Sequence, residues 1–422
     1  MSRQRLPLIA SALAVAAGAI AAVIILHARD RQATPATERA DPLAFMPSRA
    51  PVVLDLDTKQ PLIALAVQQL APRLTNGRLT VDAVEPLLGG RVSIALDGGR
   101  AWLAFATSKP APAGTTRAAG VVLSAPDSAA TRAAVAQARE PAAAYARDTF
   151  AKRFDGLPAD AGARVAFDPR RLLVQRQPKL AATRWGRSLR DGAAVLGRTT
   201  DGLRVPFRIT AEPVGLSAAD LPFATGAAAP PTNGSAALTV GLRDPAQTVA
   251  FARAADLVPA LTLLDSLPGI VKPDLTDLGP AATLTSADSR TVTARTAPPD
   301  PGDWATKLGA IDTFSGLIGG VDVTKRDGAY DIAQNGALLA RAGVYGPAVV
   351  LSNDPRADLR VLATAPAAPP LAGAHGGLTI TGSRDLLKPY LPGIVRSRIR
   401  ALNAWARVET TGLTGELRIP LR

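Results

Sequence analysis

The amino-acid sequence predicts an α+β fold: an N-terminal transmembrane helix, then antiparallel sheets with helices packed on one face, arranged as two related modules. Three observations predict it. Residues Leu6–Leu26 run for 21 positions without a charge. A short apolar strand, then Asp, then a helix-like segment recurs along the chain. Between these units lie paired β-rich runs around Gly-containing turns, which is hairpin patterning.

At 1.5 Å per residue the Leu6–Leu26 run spans about 31 Å of helix, matching a bilayer's hydrocarbon core. Arg3, Arg5 and the α-amine precede it, whereas Arg29, Asp30 and Arg31 partly cancel behind it. The positive-inside rule then puts the N-terminus in the cytoplasm and everything after the run outside. A cleaved secretory signal is the competing reading, with Ala14–Ala17 as the place to cut. The run is longer than a signal's apolar region and ends in bulky Val23, Ile24, Ile25 and Leu26, which favours a retained anchor. The expected layout is a cytoplasmic stub and signal-anchor at 1–27, a flexible polar tether at 28–48, a first α+β module at 49–230 and a second at 231–422. The location this implies is a single-pass cell-membrane protein with an extracytoplasmic body.

The strand–Asp–helix pattern appears at Val52–Asp57 before Pro61–Leu74, and at Val121–Ser124 before Asp127. It recurs at Arg164–Phe167 before Asp168-Pro169, at Leu238–Leu242 before Asp244-Pro245, at Val349–Ser352 before Asp354-Pro355, and at Leu378–Ile380 before Asp385. Asp caps the orphan N–H groups of a helix and Pro fits its first turn, so the pattern has a local cause. Ile63, Val67, Leu70 and Leu74 recur at helical spacing and predict a helix lying on a sheet. Arg91–Leu96 and Ala101–Phe105 flank Asp97-Gly98-Gly99-Arg100 as a hairpin, and the chain closes on another, Ala406–Thr410 and Glu416–Leu421, turning through Gly412 and Gly415. Leu267-Pro268-Gly269-Ile270-Val271 is echoed by Leu391-Pro392-Gly393-Ile394-Val395, which points to duplication. Pro222–Ala236, Ala297–Asp303 and Thr364–Gly377 read as linkers, the first as the module boundary.

Asp41-Pro42-Leu43-Ala44-Phe45-Met46-Pro47, the strand Val52–Asp57 and Leu87-Leu88-Gly89-Gly90 ahead of a strand together resemble an actinobacterial exported family, domain of unknown function 3352. The Asp-Pro units near Phe167, Asp244 and Asp354 fit the same style. The resemblance spans most of the body and implies a membrane-anchored or secreted protein. It carries over no activity and no functional residues.

Composition removes much chemistry. There is no cysteine, hence no disulfide, thiol nucleophile or Cys-ligated zinc. His27 and His375 are the two histidines, too few for a His-based metal site, and a Ser-His-Asp triad would have to use His375 without a Gly-x-Ser-x-Gly elbow. No phosphate-cradling Gly motif follows a strand, so no cofactor is expected. Asp55 and Asp57 share one strand face, as calcium ligands or a glycosidase pair would. The competing reading has Asp57 beginning a turn and capping the following helix, with Asp55 in solvent. Asp322–Gly328 reads as a hairpin turn rather than a calcium loop.

Charge leaves one further lead. The net charge is +13, and about +11 without Arg3 and Arg5. Arg170, Arg171, Arg176 and Lys179, with Arg184, Arg187 and Arg190 around Trp185, form the densest basic cluster. Arg beside Trp suits phosphate or sugar-acid polymers, and a solvated Arg face is the competing reading. Arg396, Arg398 and Arg400 alternate as they would along one strand face. Partners consistent with this charge are the chain's own membrane, anionic lipid, an anionic wall polymer or an envelope protein. Nucleic acid is not expected, because reader motifs are absent and the body lies outside the cell. The sequence leads to a membrane-anchored, non-enzymatic binding or envelope-interaction module. A lipid or apolar-ligand carrier and a carboxylate-dependent glycan hydrolase are the alternatives.

Overall fold

The computed structural model describes residues 41–140, 147–159, 161–226, 238–257, 274–286, 291–314, 321–365, 374–384 and 399–421. Within them 18 strands form a sheet in which every pairing is antiparallel. The first half holds β1 (Val52–Asp57), β2 (Arg91–Asp97), β3 (Arg100–Ala106), β4 (Thr116–Ala118), β5 (Val121–Ser124), β6 (Ala163–Phe167), β7 (Leu189–Thr199) and β8 (Gly202–Ala211). The second holds β9 (Leu238–Arg243), β10 (Ala281–Ser286), β11 (Thr293–Thr296), β12 (Val321–Arg326), β13 (Ala329–Gln334), β14 (Ala337–Tyr345), β15 (Ala348–Ser352), β16 (Leu378–Ser383), β17 (Ala401–Glu409) and β18 (Gly412–Pro420).

The pairing pattern repeats. β1 lies between β2 and β6, as β9 lies between β10 and β16. Outward on one side come β3, β5 and β4, matched by β11, β15 and β14. Outward on the other come β7 and β8, matched by β17 and β18. β8 and β18 then pair with each other over their full length, from Gly412 opposite Thr210 to Pro420 opposite Gly202. The halves thus meet through equivalent strands, the arrangement of a two-fold interface. The second half adds a helix and the hairpin β12–β13, with no counterpart in the first.

The Leu267–Val271 and Leu391–Val395 segments lie outside the described residues. They fall between β9 and β10 and between β16 and β17, which are not equivalent connections, so that echo does not report the repeat. The expected boundary near residue 230 also lies outside the described residues, between β8 and β9.

Described helices are α1 (Pro61–Leu74), α2 (Val81–Val84), α3 (Ser128–Arg139), α4 (Arg147–Lys152), α5 (Pro169–Arg176), α6 (Pro178–Ala181), α7 (Arg184–Ser188), α8 (Pro245–Ala254), α9 (Pro301–Phe314) and α10 (Leu359–Thr364). They do not keep to one face of the sheet, contrary to expectation. Val52, Leu54 and Leu56 of β1 join a core with Ile63 and Val67 of α1, Leu173 of α5 and Trp185 of α7. Val53 points the other way, into a second core with Leu43, Phe45, Ala134 of α3, Phe150 and Phe154. In the second half Val350 packs on α10 and Val349 on Trp304 of α9. The cause is readable in β1: it opens with three consecutive apolar residues, Val52-Val53-Leu54, which point to both faces, so both need covering.

Two further expectations change. The tether was expected to reach residue 48, but Pro42–Phe45 form a 3₁₀ turn capped by Asp41, whose carboxylate accepts from Leu43 N at 3.1 Å. Leu43, Phe45 and Met46 are buried, so the folded body includes Asp41–Met46, within the stretch assigned to the tether. The closing hairpin turns at Thr410-Thr411, and Gly415 sits within β18 opposite Phe207. The hairpins at Gly98-Gly99 and Asp327-Gly328 form as expected, with positive φ at all four positions. No described helix is long and apolar enough to cross a membrane, and Leu6–Leu26 lies outside the described residues.

Candidate functional site

The arginine cluster sits on three short helices that leave the end of β6. Asp168 starts α5, its carboxylate accepting from Arg171 N at 2.9 Å with Pro169 in the first turn. Pro178 opens α6, and the Thr183 hydroxyl caps α7 by accepting from Gly186 N at 2.9 Å. Leu173, Leu180, Ala181 and Trp185 turn inward to the main core. Trp185 is 4% exposed. Its ring therefore packs beneath the helices and offers no stacking face to a ligand, which corrects the Arg-beside-Trp expectation. Helical spacing placed the tryptophan on the apolar side of α7, away from the arginines.

The cations lie on the outer side, and several are already matched. Arg171 donates to the carbonyl of Arg49 and to Asp97 Oδ1 at 3.4 Å. Lys179 pairs with Asp256 and Arg190 with Glu212. Arg184 lies 3.8 Å from Asp220. The Ser217 hydroxyl and backbone N–H hold the Asp220 carboxyl below the ordinary carboxylate value, with Arg184 a smaller cause. Arg187 donates to the Ala182 carbonyl at 2.9 Å. Among the described residues, Arg170, Arg176 and Arg187 have no carboxylate partner and are exposed. Of the second basic run, Arg396 and Arg398 lie outside the described residues, and Arg400 is exposed just before β17.

A second polar place lies where the halves join. On the β8–β18 seam, the side opposite the main core carries a cleft of about 300 Å³ lined by Thr199, Asp201, Arg204, Asn403, Glu416 and Arg418. Arg204 and Arg418 are cross-strand partners, a like-charge pair that is unfavourable alone. Glu416, buried beside them, accepts from Arg418 Nε and lies 3.5 Å from Arg204. Two guanidiniums thus occupy this carboxylate, and it is a structural counter-ion rather than an available base. Sequence reasoning missed the site because Arg204 and Glu416 are brought together by the pairing of distant strands. The available signal was the one-face spacing of Glu416 and Arg418.

Of the two readings of the carboxylate pair, the turn at Asp57 forms, while the helix cap and the solvent-facing Asp55 do not. Asp55 is 3% exposed. It accepts from Arg91 Nε at 3.3 Å in a salt bridge, rather than facing solvent. Asp57 accepts from Lys59 N at 3.0 Å in a turn, and Gln60 holds the N-cap position of α1 without a side-chain cap bond. Asp55 is buried in its ion pair with Arg91, whereas Asp57 accepts only a turn N–H, so the two carboxylates sit in unlike environments. His375 packs edge-on against Trp405, centroids 5.6 Å apart. Among the described residues no group of three or more His, Cys, Asp or Glu is placed to hold a metal.

No family model matches the chain, and no curated protein matches it. Among solved structures, crystal form IV of TP0453 is similar at 10% identity, covering 42% of this chain and 72% of that one, with a TM-score of 0.27. A likeness that weak carries no argument about fold or function.

Proposed function

We propose that the chain is a membrane-anchored extracytoplasmic protein that acts by binding within the cell envelope rather than by catalysis. The observation that carries it is the uncharged Leu6–Leu26 run behind Arg3 and Arg5, long enough for one crossing and oriented by its flanking charge. Support comes from how the carboxylates are used: Asp55 and Glu416 are committed to arginines, while Asp127, Asp168 and Asp358 cap helices. The repeated strand pairing supports two related modules, and the resemblance to domain of unknown function 3352 belongs with this reading.

The test is membrane fractionation. The chain stays with membranes through alkaline carbonate and high-salt washes, and a variant whose first 27 residues are replaced by a cleavable signal is released. Extraction of the unaltered chain by carbonate would refute the anchor.

A further inference from the structure

We propose that the α5–α7 surface docks on the anionic lipid surface of the membrane that holds the chain, laying the body against the bilayer. This rests on the membrane-anchored reading above and names the partner of its basic surface.

Position comes first. Asp168 N donates to the Pro51 carbonyl at 2.8 Å, and Arg171 donates to the Arg49 carbonyl. Arg49 and Pro51, just ahead of β1, therefore touch the start of α5, while Leu43 and Phe45 pack into the second core on the other face of the sheet. Between Leu26 and Asp41 there are 14 residues. A random-coil linker of that length would have a root-mean-square reach of about 20 Å. A linker of that length keeps the body close to the lipid surface, so modest attraction suffices to select which face meets it.

Charge comes second. Residues 168–190 carry seven cations. Asp168, a cap, and Asp191 just beyond, which pairs with Arg153, neutralise none of them. Asp97, Asp256, Asp220 and Glu212 match Arg171, Lys179, Arg184 and Arg190. Arg170, Arg176 and Arg187 remain for an external anion. Third, Val174 stands four residues from Arg170 on α5 and is 57% exposed, an apolar contact suited to the headgroup boundary. Arg170 shares a face of α5 with the exposed Val174, and with Arg176 and Arg187 exposed on the same short helices, several separated cations suit an extended anionic surface better than a single small anion.

The cysteine-free chain allows a direct test. Full-length Val174→Cys carries an environment-sensitive fluorophore and is reconstituted in vesicles of phosphatidylcholine, or of equal phosphatidylcholine and phosphatidylglycerol, each with a headgroup quencher. Quenching is expected only with phosphatidylglycerol. It falls on adding salt, and falls by more than about tenfold in the docked-to-free ratio when Arg170, Arg176 and Arg187 are all changed to Glu. A probe at Val361→Cys, on α10, stays unquenched. Equal quenching in both lipids, or quenching that survives the triple change, overturns the proposal. So does a response to soluble polyphosphate without one to phosphatidylglycerol. Failure of the anchor reading is separate: the protein would not float with phosphatidylcholine vesicles, where only the anchor can hold it.

Discussion

Asp55 and Arg91 show how burial makes a pair unequal. Asp55 is enclosed, whereas the Arg91 side chain is 41% exposed. Removing the arginine leaves a buried carboxylate short of a partner; removing the acid leaves an arginine that reaches water. Arg91→Ala is expected to cost about 1–3 kcal/mol in urea denaturation and Asp55→Asn less. Asp127 gives a pH dependence. Its carboxyl is held below the ordinary value of 3.8 chiefly by the Ala130 N–H, with Arg100 a smaller cause. A depressed folded value means the stabilisation is complete above 3.8 and lost as pH falls through the folded value. Thermal melts of Asp127→Asn, which still caps, should lose this acid-side slope, and unchanged slopes would argue against the assignment.

Elements were the scale most legible in the sequence. The Asp caps at Asp127 and Asp168 and the turns at Gly98-Gly99 and Asp327-Gly328 follow from local chemistry, and the structure places them as expected. Asp57 stands ahead of the N-cap position of α1, which Gln60 holds, and Asp244 is at the N-cap of α8 but in a left-handed backbone that makes no side-chain cap bond. The 3₁₀ turn at Pro42–Phe45 was hidden because four residues carry no period, and its apolar side chains are explained only by the core they fill. It yields a clear discriminator: Leu43→Ala should cost about 2–4 kcal/mol, where a flexible tether would show no change. Gly412 marks the turn into the seam strand. Its φ is +146°, and a Cβ there would lie 2.0 Å from the Ile209 carbonyl oxygen. Gly412→Ala should therefore destabilise by about 1–3 kcal/mol, read as a lower urea midpoint.

At the scale of the whole molecule the sequence suggested two modules, and the structure joins the two halves across β8 and β18. One core runs from Val52 through Phe207 and Leu417 to Leu242. No local pattern encodes that join, since strand pairing across halves depends on edges that only the folded halves present. Residues 41–226 expressed alone would bare the β8 edge and part of the core, and are expected to self-associate or precipitate. The same joined body is what the anchor is proposed to hold outside the cell. A membrane-impermeant thiol reagent applied to intact cells expressing Val361→Cys tests that most directly, because the chain has no other cysteine. The account predicts labelling before any permeabilisation. Labelling that appears only after lysis would contradict it.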